Sequence, residues 1–151
     1  MNDVKKGIFE IDGIEVNREV QTKDIMTEKM SSCGEGTDYT YISSYANPLN
    51  FIGGKFSVEY VFYKDRLWQI DLEPFVGEDP GYPDLEYQKE KWDYCCDLLR
   101  KAFGKPDTEE DRGISFSFDG GAIGCYQILE GRMEGEGGNI KIAYYIEGYN
   151  A

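Results

Sequence analysis

Side chains that commonly carry out chemistry are scarce in this sequence. It contains no histidine, which removes the commonest general base, the commonest metal ligand and every Ser-His or Cys-His nucleophile pair. Its four cysteines form no Cys-x-x-Cys pair and match the spacing of no zinc site. We therefore predict no catalytic residue, no metal site and no cofactor. The cysteines are expected to behave as small buried hydrophobic residues, namely Cys33, Cys95, Cys96 and Cys125.

Two segments have compositions found at ligand sites, but neither matches such a site. Residues 107–113 are acidic like a calcium loop, yet Arg112 stands where that loop requires glycine and Phe118 where it requires a bidentate glutamate. Residues 131–138 are rich in glycine, but they include two glutamates, whose charge a phosphate-binding loop would not carry. We predict a solvated loop for the first segment and a flexible hairpin loop for the second.

The charge of the chain indicates which partners it can attract. Acidic residues number 29 and basic residues 16, so the formal net charge is −13. Such a surface repels the phosphates of nucleic acids and of anionic membranes, whereas opposite charge speeds association with a basic protein. We therefore predict a basic protein partner, and neither nucleic acid nor membrane. The alternative is that the acidity only keeps the chain soluble.

One connection combines acidic residues with apolar side chains. Residues 73–86 contain no lysine or arginine, and Phe75, Val76 and Tyr82 are interleaved with the acids. Apolar anchors surrounded by like charge suit the binding of a basic partner. Alternatively, these aromatic side chains pack onto the core. The partner-binding residues predicted in this connection are Glu73, Phe75, Glu78, Asp79, Tyr82, Asp84 and Glu86.

A second candidate surface is a tyrosine-rich segment composed of strand-forming residues. Tyr39, Tyr41 and Tyr45 recur at even spacings, which places all three on one face of a β-strand. Tyrosine provides contact area at a low entropic cost and is therefore common at interfaces. We predict a partner-binding role for these three residues. The alternative is that they are half-buried members of a sheet.

The order of the elements indicates a single acidic α+β domain over residues 1–151. Apolar residues recur every three or four positions between about 84 and 103, which predicts a long helix, and a short helix is expected at about 23–32. Alternating apolar residues elsewhere predict an antiparallel sheet of about five to six strands, one face of which the long helix covers. No apolar run is long enough for a secretion signal or a membrane span, so we predict a cytoplasmic location.

The predicted hairpins have defined registers, because burial requires their apolar residues to share one face. A loop at residues 64–66 gives three inward pairs, Phe62 with Trp68, Tyr60 with Ile70 and Val58 with Leu72. A glycine turn at 120–121 gives two more, Phe118 with Ile123 and Phe116 with Cys125. A last strand is expected at about 139–146.

These features favour a non-enzymatic domain that binds a basic protein through acidic loops and tyrosines. In size, acidity and lack of catalytic residues the chain resembles bacterial immunity proteins, which neutralise toxins. That resemblance is one of class, and it implies an inhibitor without assigning any residue a role. The competing hypothesis is a small-molecule-binding protein or an enzyme with a pocket between sheet and helix. A third is a subunit of a larger assembly.

Overall fold

The structure of the chain, a computed structural model, describes residues 1–34 and 37–146. It contains a 3-10 turn at Val4–Lys6, a short helix α1 at Thr22–Ile25 and a long helix α2 at Leu85–Phe103. Eleven β-strands are formed by the described residues: β1 (Phe9–Ile11), β2 (Ile14–Val16), β3 (Ser31–Cys33), β4 (Tyr39–Ser43), β5 (Leu49–Phe51), β6 (Gly54–Tyr63), β7 (Arg66–Pro74), β8 (Thr108–Glu110), β9 (Gly113–Phe118), β10 (Gly121–Tyr126) and β11 (Ile140–Tyr144).

Most of these strands belong to one antiparallel sheet. Nine strands form it, in the order β3-β4-β6-β7-β11-β10-β9-β8 with β5 also paired to β6, while β1 and β2 form a separate hairpin. The predicted α+β class with an antiparallel sheet is therefore confirmed. The described residues contain more strands than the five to six predicted. The additional ones include β3, β5 and β8, each with only three residues, which is too few to show an alternating pattern.

Helix α2 begins and ends where the sequence predicts. The Asp84 side chain accepts a hydrogen bond from the Glu86 backbone N–H at 3.0 Å, which caps the first turn. Gly104 follows the last turn with a φ of 84°, which glycine adopts without strain. Cys95 and Leu99 belong to the buried stripe through which the helix packs on one face of the sheet. Within the described ranges, neither helix is long and apolar enough to cross a membrane.

The N-terminal helix is shorter than predicted. Helix α1 ends at Ile25, and residues 31–33 form strand β3 instead of helix. A capping box between Gln21 and Asp24 fixes the start of α1. The next buried apolar side chain after Ile25 is Met30, and residues five apart do not share one face of a helix. The helix therefore has no inward stripe that would extend it.

The central hairpin, β6 with β7, follows the predicted register along most of its length. Two of the three predicted inward pairs are confirmed, and their side chains are buried: Tyr60 with Ile70 and Val58 with Leu72. These pairs place the central strands of the sheet against the core. They also fix which residues of β6 and β7 point to the opposite side, because side chains alternate along a strand.

Near its turn this hairpin departs from the prediction. A β-bulge shifts the register between Val61 and Phe62, so Phe62 pairs with Leu67 rather than with Trp68. The turn has only two residues, 64–65, both with positive φ, as in the type I′ turns that match the twist of a hairpin. The bulge accommodates this shorter turn. It leaves Trp68 half-buried, outside the inward row of buried side chains.

The hairpin of β9 and β10 keeps its predicted inward face but has a different turn. Gly121 pairs with Phe118 and Ile123 with Phe116, so the predicted register was wrong by two residues. A shift of two leaves every side chain on its expected face. The turn is formed by residues 119–120. Gly121 belongs to the strand, where a Cβ atom would lie 2.1 Å from a backbone oxygen of β11.

The hydrophobic core lies between the sheet, α2 and the N-terminal hairpin. Cys95, Cys96 and Cys125 are buried in it, whereas Cys33 on the edge strand β3 is exposed, which corrects the expectation for that residue. Hydrogen bonding among the three buried thiols, together with burial, raises the pKa of Cys96 and of Cys125 well above the usual range. These two thiols therefore stay protonated, and unreactive, at neutral pH.

Candidate functional site

The nine-stranded sheet has one face that no helix in the described part of the chain covers. Alternation along β7 directs Ile70 and Leu72 into the core, and Gln69, Asp71 and Glu73 to the opposite side. We call this second side the outer face. Helix α2 and the N-terminal hairpin both contribute to the core on the inner side. The outer face is therefore not used for packing against a helix.

A row of charged side chains crosses the middle of the outer face. Glu59 on β6, Asp71 on β7 and Lys141 on β11 stand directly opposite one another in the strand pairing. Residues opposite each other have Cβ atoms about 4.5–5.5 Å apart, and like charges in that position destabilise a sheet. The facing carboxylates of Glu59 and Asp71 are thus unfavourable for the fold alone, and Lys141 is the direct neighbour of only one of them.

The two carboxylate oxygens of Asp71 differ in their hydrogen bonding. Oδ2 accepts a hydrogen bond from Asn139 Nδ2 at 3.2 Å. Oδ1 is buried and has no hydrogen-bond donor among the described residues. The described residues therefore supply no donor to this oxygen, which leaves it able to accept a hydrogen bond from outside the chain.

Lys91 on α2 is a lysine with only 5% of its surface exposed. Its Nζ donates to Asn139 Oδ1 at 3.1 Å and lies 5.2 Å from the ring centre of Tyr87. A buried ammonium group needs such partners, because burial without them is costly. Since Asn139 also donates to Asp71, a chain of hydrogen bonds links the helix to the outer face of the sheet.

Burial makes both carboxyl groups of the row harder to ionise. Burial raises the pKa of Asp71, and Lys141 together with the hydrogen bond from Asn139 offsets part of that rise. Burial also raises the pKa of Glu59, and the negative charge of Asp71 raises it further. A cation placed between the two groups would favour their ionised forms and so oppose both shifts.

Two cavities open beside the charged row. The outer-face cavity, of about 330 Å³, has Glu59 and Asp71 in its lining. The helix-end cavity, of about 380 Å³, lies at the N-terminal end of α2 and has Glu73 and Lys91 in its lining. Glu136 lines both cavities. Their volumes are at the lower end of the range typical of ligand pockets, roughly 300–1,000 Å³.

The glycine-rich loop between β10 and β11 is held against α2. Gln88 is fully buried, and its Oε1 accepts hydrogen bonds from the backbone N–H groups of Ile128 and Gly137, both at 2.7 Å. At Gly138 the backbone has a φ of 96° and approaches the helix so closely that a Cβ atom would lie 2.8 Å from Gln88 O. The segment is a hairpin loop as predicted, because it joins the paired strands β10 and β11, but these contacts hold both of its ends against the helix.

The predicted acidic connection leads from the outer face to the start of α2. Phe75 and Tyr82 are 50% and 67% exposed, so neither aromatic side chain is packed into the core. The five predicted acids differ in their exposure: Glu73 and Asp84 are half-buried, and Glu78, Asp79 and Glu86 are exposed. Both aromatic residues thus lie at the surface among carboxylates.

The predicted tyrosine stripe is shorter in the structure. Tyr39 and Tyr41 lie on the same side of β4 with ring centres 6.3 Å apart. The ring of Tyr39 also approaches Tyr63 at 5.2 Å and Trp68 at 6.0 Å. Tyr45 lies beyond the end of β4, with a φ of 48° that interrupts the extended backbone. The prediction that all three tyrosines share one strand face was therefore wrong for Tyr45.

The outer face connects the two surfaces that the sequence presented separately. Tyr41 on β4 lies opposite Val61 on β6, and Val61 lies opposite Gln69 on β7. The strand pairing therefore connects the tyrosines of β4 with β7 at Gln69. Glu73 lies four residues further along the same strand, which is about 13 Å at roughly 3.3 Å per residue. Asp71 lies between these two positions. The structure thus brings Tyr39, Tyr41 and Glu73, the first residue of the acidic connection, to one side of the sheet.

Three central residues of this site were not singled out from the sequence: Glu59, Asp71 and Lys91. The predicted hairpin contained a signal for the first two, because its inward pairs on either side place Glu59 opposite Asp71 on the other face. No comparable signal exists for Lys91. Its burial depends on Asn139, which is 48 residues away along the chain.

The acidic segment at residues 107–113 is engaged in the fold. Part of it forms strand β8, whose three residues are exposed, so the segment is solvated as predicted but is not entirely a loop. Asp107 Oδ2 accepts a hydrogen bond from the Ser117 backbone N–H at 2.7 Å, and Glu109 forms an ion pair with Arg100. Among residues 1–34 and 37–146, no group of three or more cysteines or carboxylates is placed to hold a metal ion.

No known protein family, curated protein or solved structure matches this chain. The chain's own residues are therefore the basis on which a function can be proposed. Among them, the outer face and the acidic connection combine charge, exposed aromatic side chains and cavities in one region.

Proposed function

We propose that this chain binds a basic protein, and that the acidic connection at residues 73–86 and the outer face of the sheet form the contact. The observation that carries this proposal is the exposure of Phe75 and Tyr82, at 50% and 67%. Their segment is acidic and contains no lysine or arginine. Exposed aromatic side chains surrounded by one sign of charge are suited to anchor an oppositely charged partner.

The loop between β10 and β11 enlarges this surface. A Cβ atom at Gly135 would lie 2.7 Å from the backbone of Asp84, so the loop adjoins the start of α2. Its exposed side chains include Met133, Glu134 and Glu136 together with one basic residue, Arg132. Apolar and acidic groups therefore lie on both sides of the helix end, and the two segments can contact one partner together.

Such a protein needs no chemistry of its own. A domain that occupies a cationic surface of another protein can block the activity that depends on it. We therefore extend the proposal to an inhibitory role of the kind performed by immunity proteins, which neutralise toxins. This role requires the same contacts and adds no further residue to the site.

Binding kinetics with a basic protein recovered from the native source would test the proposal. The site variant E73Q/E78Q/D79N removes three negative charges from the connection, and the control variant E15Q/E19Q/E28Q removes three from the N-terminal region. Both variants change the net charge equally, so they separate the local contact from the field of the whole chain. The site variant should slow association about tenfold more than the control, because rim charges act mainly on the association rate.

Salt and an aromatic substitution complete this experiment. Association should slow steeply with added salt, since the screening length is about 8 Å at physiological ionic strength. Tyr82→Ala should instead speed dissociation, because it removes an anchor and leaves the charge unchanged. Association that is independent of salt, with equal rates for the two triple variants, would refute the proposal.

A second candidate function is supported by the helix-end cavity. Lys91 and Glu73 reach it from the helix and the sheet respectively, and its volume is about 380 Å³. Converging polar groups in a space of this size are typical of small-molecule sites. Native mass spectrometry of protein purified from its source tests this alternative. A small molecule that stays bound, with no protein partner, would favour it over the first proposal.

A further inference from the structure

We infer that the outer-face cavity receives the guanidinium group of an arginine, with Asp71 Oδ1 and the Glu59 carboxylate as acceptors. The inference rests on the proposed function for the source of that arginine, which is the basic partner. The site itself rests on three features of the outer face: a buried acceptor without a donor, two facing carboxylates and an aromatic wall.

The first feature is Asp71 Oδ1, which is buried and accepts no hydrogen bond from the described residues. The hydrogen bond from Asn139 to Oδ2 fixes the orientation of the carboxylate. Lys91 does not donate a hydrogen bond to Oδ1, because its ammonium group donates to Asn139 and lies over the ring of Tyr87. Asp71 is among the residues that line the cavity, so a donor entering it would meet a carboxylate that is already positioned.

The second feature is the pair of facing carboxylates. Glu59 and Asp71 are directly opposite on adjacent strands, which sets their Cβ atoms about 4.5–5.5 Å apart. Among the described residues, no lysine or arginine nitrogen lies within 4.0 Å of either carboxylate. A guanidinium group carries five N–H donors in a planar fork and can donate to both at once, whereas an ammonium group is a single point of charge.

The third feature is the ring of Tyr126, which lines the same cavity. Gly124 lies in the charged row opposite Lys141, and a Cβ atom there would be 2.7 Å from Tyr126 Oη. The missing side chain of Gly124 lets the ring lie over the sheet. Guanidinium groups stack on aromatic faces. The volume of about 330 Å³ also greatly exceeds the roughly 30 Å³ share of a single water molecule.

The experiment titrates the full chain with N-acetyl-arginine methylamide and follows backbone amide signals by NMR. The matched control ligand is the citrulline analogue, which has nearly the same shape but no charge and fewer donors. The lysine analogue tests the preference for a planar fork. We expect saturable shifts centred on Glu59, Asp71 and Lys141 at millimolar arginine derivative, and at least tenfold weaker binding of the other two compounds.

Variants locate the site within the outer face. Asp71→Asn and Glu59→Gln should each weaken binding of the arginine derivative at least tenfold, whereas Glu110→Gln, an exposed acid on β8, should not change it. Using two site variants keeps the test decisive if one of them folds poorly. Shifts centred on the acidic connection, equal binding of the citrulline analogue, or full binding by both site variants would overturn the inference.

The partner separates this inference from the proposed function. If partner binding depends on salt and on residues 73–79 but is unchanged in Asp71→Asn and Glu59→Gln, the arginine site is refuted and the proposed function stands. If the arginine derivative binds the cavity, but association with the partner is unchanged by salt, by the substitutions at residues 73–79 and by those at Asp71 and Glu59, the proposed function is refuted and the guanidinium site stands.

Discussion

Two aspartates, Asp12 and Asp71, show how the same side chain is used differently in two regions of the molecule. Asp12 lies in the turn between β1 and β2, where its Oδ1 accepts from Asn50 N at 3.3 Å and from Asn50 Nδ2 at 3.1 Å. Its Oδ2 accepts from Lys29 Nζ at 3.2 Å. Asp71 on the outer face accepts one hydrogen bond, and its second oxygen is left without a donor among the described residues.

The acid–base properties of the two groups follow from this difference. Although burial alone would raise the pKa of Asp12, the hydrogen bonds from Asn50 and Lys29 lower it below its ordinary value. Burial raises the pKa of Asp71, because its partners offset only part of the cost. In a chain with 29 acidic residues, acidity alone singles out no site. The number of hydrogen-bond donors around a carboxylate distinguishes the acids that stabilise the fold from the acids that are available to a ligand.

The largest effect is expected at Asp12. Asp12→Ala removes the acceptors that join the N-terminal hairpin to β5 and Lys29, and it places alanine at a φ of 51°. The lost hydrogen bonds and the left-handed backbone should together lower the free energy of unfolding by about 2–4 kcal/mol. Urea denaturation measures this loss.

Asp12→Asn is the matched control for that substitution. Asparagine tolerates the left-handed backbone and retains one acceptor oxygen, so its loss should be about 1 kcal/mol. An Asp12→Ala loss below about 1 kcal/mol would show that these hydrogen bonds contribute little, and the contrast with Asp71 would then disappear.

The opposite result is expected at Asp71. Asp71→Asn removes a negative charge that is half-buried beside Glu59, and its amide oxygen can still accept from Asn139. The free energy of unfolding at neutral pH should therefore stay the same or rise by up to about 1 kcal/mol, as when other poorly paired buried charges are replaced. A loss of more than about 1 kcal/mol would mean that the Asp71 carboxylate holds the fold together, as Asp12 does.

Acid should also separate the two residues. The pKa of Asp71 is raised above the ordinary 3.8, so the native state binds its proton first as the pH falls, and stability rises through that window above 3.8. The pKa of Asp12 is lowered below 3.8. Its contribution is therefore complete above 3.8 and is lost as the pH falls through the lowered native value.

Denaturation of the native chain, Asp71→Asn and Asp12→Asn over a series of pH values tests these signs. The charged groups facing Asp71 are Glu59, Glu73, Lys91 and Lys141, and all of them remain in the variant. Because Asp71 also raises the pKa of Glu59, the difference between the native chain and Asp71→Asn reports the titration of this coupled pair of carboxyl groups. A difference that does not change between neutral pH and 3.8 would show that Asp71 is not shifted.

The sequence was sufficient to predict the elements of the fold whose apolar pattern is long. Helix α2 and the inward pairs of β6 and β7 each have several buried side chains that recur at one period. The end of α1 and strands of three residues have too few such side chains to define a period. The bulge at Val61 could not be predicted either. It accompanies the two-residue turn that the chain adopts, and the length of that turn also decides on which face Trp68 lies.

The candidate site was predictable only in part, for a different physical reason. Exposed aromatic and acidic side chains of the connection are properties of one segment and can be identified from it. Whether the oxygens of a carboxylate find hydrogen-bond donors depends on residues from distant segments. Asp71, for example, accepts from Asn139, which is 68 residues away along the chain. Asp12 likewise depends on Asn50, 38 residues away. Composition does not distinguish the two cases.

The smallest expected effects are on the pKa of Asp71 when its neighbours change. Lys141 lowers that pKa and Glu73 raises it, so Lys141→Met should move it up and Glu73→Gln should move it down. Both residues lie on the outer face and can be replaced without opening the core. NMR titration of the side-chain carboxyl carbon measures each shift directly. Lys29→Met is the corresponding control, because it should raise the pKa of Asp12 and leave that of Asp71 unchanged.

If Lys141→Met leaves the pKa of Asp71 unchanged, Lys141 does not balance the charge of the facing carboxylates. Removing Lys141 would then not change the attraction of the two carboxylates for a cation, so binding of the arginine derivative should be no tighter in Lys141→Met than in the native chain.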